Sequence, residues 1–149
     1  MLFRSVETIE AALQRCVDRY EEDVDNMVAR LRPGDGVLGF GRDPKRDPCH
    51  MDFYQAVGET VARFAGEALE AEEAFQGVRF LLSMTQEERH MLVRPMMEAA
   101  QGHALPLIPL LEPGRAEELA HWYVAHYPKR QRLPIQNRVM QALEKRARG

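Results

Sequence analysis

An all-α fold, organised as a single-domain bundle of about five helices, is what this 149-residue sequence predicts. Three observations carry the prediction. Apolar residues recur at steps of three and four over long stretches, which places them on one face of a helix. No window alternates apolar and polar residues with the β-branched enrichment of a strand. Proline and glycine gather between the periodic stretches, where helices start and stop. A domain of this length can bury roughly 68–70% of the surface its unfolded chain exposes. Its composition, 45% hydrophobic and 29% charged, is that of an ordinary globular protein.

Ser5 is the expected N-cap of the first helix, and Val6, Ile9, Leu13, Cys16, Tyr20, Val24, Met27 and Leu31 follow on one stripe. A helix over 6–32 is about 40 Å long. The two successive steps of four at Tyr20 and Val24 break the heptad, so the expectation is a nearly straight bundle helix rather than a coiled coil. Pro33-Gly34 ends it and opens a Gly/Pro-rich loop over 33–50.

Asp47 and Pro48 suit an N-cap and first helical position. The second helix then presents Met51, Tyr54, Val57, Val61, Phe64, Ala65, Ala68 and Leu69, and is expected to continue toward Phe75, Val78 and Leu82. Thr85-Gln86-Glu87-Glu88 reads as a capping box for a third helix running to about Gln101, bent at Pro95 and stopped by Gly102. Residues 104–111 are apolar but broken by Pro106 and Pro109, which predicts a buried connection with at most one short helical turn. A fourth helix runs from Pro113 to just before Pro128 with Leu119, Trp122, Tyr123, His126 and Tyr127 on its stripe. The fifth begins at Pro134 and uses Ile135, Val139, Met140 and Leu143.

The net charge of −3 hides an asymmetry. Residues 1–127 hold 13 Lys or Arg against 22 Asp or Glu, while 128–149 hold seven against one, so the C-terminal segment 129–149 reads as a basic helical arm. No apolar run approaches the roughly 20 residues of a membrane span, and Glu7 and Glu10 interrupt any secretory signal. Cys16 and Cys49 form no metal-ligand or disulfide pattern. A small bacterial, cytoplasmic protein with reduced thiols is the expectation.

Gly34-Asp-Gly36-Val-Leu-Gly39 matches a dinucleotide fingerprint by letter, but a helix precedes it where the fingerprint needs a strand. Beyond it, Arg42, Lys45 and Arg46 precede the free N–H groups of the second helix, an arrangement that attracts anions. Asp43 and Asp47 compete for that role. Cys49 in the first turn is a candidate reactive thiol, favoured as thiolate by the helix dipole. His50 beside it points about 100° away and is poorly placed as its base.

Glu87 with His90, and Glu118 with His121, have the Glu-x-x-His spacing that lets both side chains meet one metal in carboxylate bundles. Both pairs also sit in first helical turns, where Glu is favoured anyway. Lys129, Arg130, Arg132 and Arg138 on the basic arm could contact phosphates, but the acidic body and the absence of a recognition motif make nucleic acid the less favoured partner. The stripe of Trp122, Tyr123 and Tyr127 is expected in the core, as is Cys16, and His103 in a loop. The reading that remains is a noncatalytic module that acts through helical surfaces on a protein partner or on itself, without cofactor. The alternatives are Cys49 chemistry, a Glu/His metal site and nucleic-acid binding.

Overall fold

The computed structural model of the chain describes residues 7–30, 48–84 and 98–149. The described residues form an all-α bundle without strands. Its helices are α1 (Ile9–Ala29), α2 (Pro48–Ala65), α3 (Ala71–Ser83), α4 (Pro113–His126) and α5 (Pro134–Ala147). A helical turn at 98–100 and 3-10 turns at Gln101–Ala104, Ile108–Leu110 and Lys129–Gln131 lie between them. The third predicted helix falls mostly outside the described residues, as does the loop up to 47.

α1 starts later than the periodicity suggests. Its 21 residues open at Ile9, with the Thr8 hydroxyl accepting the Ala11 N–H at 3.1 Å. Thr8 is therefore the cap, three residues beyond Ser5, which lies outside the described part. Ile9, Ala12, Leu13, Val17, Tyr20 and Val24 are buried, while Cys16 is only half-buried.

α2 opens at Pro48 as expected, and Val57, Val61 and Phe64 point inward as their spacing selects, but its first turns present a different pair to the core. The buried stripe is His50, Phe53, Val57, Val61 and Phe64, at steps of three, four, four and three. Met51 and Tyr54 face outward, 55% and 41% exposed. The two choices differ by one position, which rotates the start of the helix by about 100°. Phe53 decides it by packing its ring 4.8 Å from that of Tyr20. Nor does α2 run on to Leu82. It ends at Ala65, the chain turns through Gly66 to an extended Glu70, and α3 begins anew at Ala71. Gly66 is a poor helix residue, and breaking there lets α2 and α3 each lie against α1.

The connection through residues 101–111 is buried, as its apolar sequence predicts, with Leu107, Ile108 and Leu111 fully inside. Within 104–111 it holds the one short turn expected, Ile108–Leu110, and a further 3-10 turn at Gln101–Ala104 leads into it. α4 and α5 both take a proline at the first helical position and form a hairpin. Val139, Met140 and Leu143 of α5 are buried, so the basic helical segment is part of the bundle. Its principal neighbours are α4 and the two 3-10 turns of the connection. One apolar cluster receives side chains from every helix. No described helix is long and apolar enough to cross a membrane.

Candidate functional site

The residues nominated by sequence do not gather in one place. Cys49 sits half-buried in the first turn of α2, packed against the core, and His50 turns fully inward, its ring 5.5 Å from Tyr20. Arg42, Lys45, Arg46, Glu87 and His90 lie outside the described residues. Glu118 and His121 share α4 but take different neighbours. Glu118 receives Arg115 at 3.1 Å, and His121 Nε2 lies 3.8 Å from Glu117. Among the described residues no group of three or more His, Cys, Asp or Glu could hold a metal. Lys129 and Arg130 are exposed on the 3-10 turn before α5, Arg138 is exposed on α5, and Arg132 is half-buried.

At the base of the α4–α5 hairpin lies a polar network with almost no solvent access. The Gln101 amide donates to the Leu82 carbonyl at 3.3 Å and to the Tyr127 hydroxyl at 2.9 Å. Its carbonyl accepts from the Tyr123 hydroxyl at 2.8 Å and from the Gln136 amide at 3.2 Å. Tyr127 in turn donates to Leu82, and Gln136 Oε1 accepts the Leu133 N–H at the start of α5. Burial holds the Tyr123 phenol far above its usual range, so it remains a neutral donor. A closed network of neutral groups fixes how four chain segments meet: the end of α3, the 3-10 turn at Gln101, α4 and α5.

His103 makes a second internal joint. Its ring lies 4.3 Å from that of Tyr54, and its Nε2 is buried without a hydrogen-bond partner among the described residues. Burial pulls its pKa below the ordinary histidine value, and the Tyr54 backbone opposes this more weakly. Only a glycine admits the ring so close to α2, since a Cβ on Gly58 would stand 2.8 Å from His103 Cε1.

Two concavities stand out on the surface of the described residues. The smaller, about 250 Å³, runs between α1 and α2 and is lined by charged or polar Arg19, Asp23, Asp52, Gln55 and Glu59 over the rings of Tyr20 and Phe53. Cys16 at its edge is 3.5 Å from the Thr60 hydroxyl. That hydroxyl already donates to the Ala56 carbonyl at 2.8 Å, which leaves its lone pairs to face the thiol. The larger is an open trough of about 470 Å³ between α4 and α5. Ala120, Val124, Met140 and Ala147 form its apolar floor, with Glu117, His121, Glu144 and Arg148 along its rims. Val124 is 51% exposed there, a β-branched apolar side chain facing water on an otherwise polar helix surface.

No protein-family model, no curated protein and no solved structure matches the chain. The trough was not visible in the sequence because Val124 sits outside the Leu119-Tyr123-Tyr127 stripe. Its signal was there all the same: an apolar residue off the core face of an amphipathic helix. Gln101 and Gln136 were missed for the opposite reason, as polar residues that point inward.

Proposed function

We propose that this chain is a noncatalytic protein-interaction module that receives an amphipathic helix in the trough between α4 and α5. The single observation that carries the reading is the exposed apolar floor, with Val124 half in water above buried Ala120 and Met140. A helix lying in a groove buries an i, i+3, i+4, i+7 stripe against such a floor and sets its flanks by charge. Here the rims carry Glu117 and Glu144 against Arg148. Two carboxylates against one guanidinium favour a guest with a basic flank.

Titration of isotopically labelled protein with an amphipathic helical peptide tests the reading. A Leu-striped peptide with a Lys flank is expected to shift the amide resonances of Ala120, Val124 and Met140, and the same peptide with a Glu flank to bind more weakly. Val124→Glu should abolish the shifts without changing the helical circular dichroism. The absence of any shift at about 1 mM basic peptide, where even a weak millimolar complex is half formed, would overturn the proposal.

A further inference from the structure

We infer that His103 is a proton-operated latch between α2 and the buried connection: with a neutral ring the 3-10 turn at Gln101–Ala104 stays closed on α2, and with a protonated ring it lets α2 go. The geometry of the ring carries the inference. It lies 4.3 Å from the ring of Tyr54. It fills a notch that exists because residue 58 has no side chain, a Cβ there standing 2.8 Å from its Cε1 and 3.2 Å from its Nδ1. Its Nε2 is shut off from water and has no hydrogen-bond partner among the described residues.

A neutral ring leaves that nitrogen as a bare lone pair, whereas a proton added there is a buried charge without an acceptor, which costs far more. Burial accordingly holds the ring below the ordinary histidine pKa, and the backbone hydrogen bond to Tyr54, which favours the charged form, offsets this only in part. The helices packed on the turn are α2, α3 and α5, and among the described residues none of their charged side chains alters that balance. On α2 the titratable group beside the ring is the Tyr54 phenol, while Glu59 bonds Gln55 and lines the concavity toward α1. On α3 Arg79 turns to Gln76 and the Phe75 ring, and on α5 Arg138 stands in solvent one turn beyond Ile135.

The two sides of the turn are held unequally, which makes the release local. Toward α3, α4 and α5 it is tied by the four hydrogen bonds of Gln101. Ile135 adds to that side, packed so close to Gly102 that a Cβ there would stand 2.5 Å from it. Toward α2 the turn is held by the His103 ring in its notch. α2 keeps its own hold on α1 through Phe53 and Tyr20, so neither side unfolds when the two part. In acid the ring moves into water, Tyr54 loses its ring partner and the notch at Gly58 opens. The closed form is complete above the ordinary histidine range and is lost as pH falls through the lower, folded-state value.

Nuclear magnetic resonance of the full labelled chain between about pH 8 and about pH 5 tests this. The His103 Cε1–H resonance and the Gly58 amide should titrate together with a midpoint below 6.5. The Overhauser contact between His103 and Gly58 should vanish at the acid end, while the amides of Val17 and Leu143 hold their positions. Gly58→Ala fills the notch and should keep the ring out at every pH, so that His103 in this variant titrates near the ordinary 6.5. His103→Phe, ring-shaped and uncharged, should leave the Gly58 amide unmoved by pH, and it serves as the test even if the alanine variant does not fold. A His103–Gly58 contact that survives full protonation of the ring overturns the latch, because the charge is then accommodated in place. Collapse of the Val17 and Leu143 resonances on the same curve overturns it too, since the whole bundle and not the joint would be opening. So does a Gly58 titration that persists in His103→Phe, or a folded Gly58→Ala chain whose His103 keeps the original midpoint.

Discussion

Gln101 uses both amide protons and both carbonyl lone pairs inside the protein, on Leu82, Tyr127, Tyr123 and Gln136. Replacing it by Leu takes their partner from the Tyr123 hydroxyl and the Gln136 amide, while Leu82 and Tyr127 keep their bond to each other. Each orphaned donor or acceptor costs about 1–3 kcal/mol, so Gln101→Leu should lower the unfolding free energy by roughly 2 kcal/mol or more. Tyr123→Phe removes one bond and should cost about 1 kcal/mol, and the double variant should lose less than the sum because the two share a network. Urea unfolding of the four proteins checks this; a Gln101→Leu chain within about 0.5 kcal/mol of the original would mean the network is ornamental. His103 is the second residue whose burial has a measurable consequence. Its folded-state pKa is lowered from 6.5, chiefly by desolvation, so the unfolded chain binds the proton more readily. Stability is therefore full above the unfolded value and declines as pH falls through 6.5 toward the folded one. The urea midpoint should drop across that window, and His103→Phe, which keeps the ring against Tyr54, should flatten the drop. Identical slopes for both proteins would rule His103 out as the titrating group.

Helix existence was legible along the chain because it depends on period, whereas helix phase was not. Pro48, Pro113 and Pro134 each open a helix in the structure, since a missing N–H costs nothing at the first helical position. α1 and α5 bury nearly the residues their spacing selects. α2 does so at Val57, Val61 and Phe64 but not in its first turns, because Met51 and Tyr54 lie one position from His50 and Phe53, and a stretch containing all four supports either rotation. Only the tertiary partner, Tyr20, separates them. The break at Gly66 was hidden in the same way, by apolar residues that keep a helical step on both sides of it. Polar residues failed to announce their positions for a simpler reason: Gln101 and Gln136 belong to a residue type that is mostly exposed, and only a converging set of partners makes burial tolerable. The Glu118 and His121 spacing was read correctly as one helix, yet Arg115 and Glu117 stand at competing i, i+3 and i, i+4 positions, and the structure pairs with those.

The basic C-terminal segment looks detachable in the sequence, and the whole molecule argues otherwise. Deleting residues 129–149 removes Val139, Met140 and Leu143 from the core and Gln136 from the Gln101 network. Burial of three such apolar side chains contributes about 1.5–3 kcal/mol each, roughly 5–9 kcal/mol together, which rivals the 5–15 kcal/mol that typically holds a whole domain folded. The truncated chain should lose its cooperative thermal transition at 222 nm and the dispersion of its amide resonances. A fragment that still melts cooperatively within a few degrees of the full chain would show that α5 is an appendage. The outcome also governs how the charge of this segment is studied. Ligand binding or self-association that disappears on truncation would disappear with the fold, so the deletion cannot separate electrostatics from stability. Reversal of Arg138, Lys145 and Arg148 can, because their side chains are exposed and form no ion pair among the described residues. A surface charge change of that kind is worth a few tenths of a kcal/mol to folding but changes the sign of the field a partner meets.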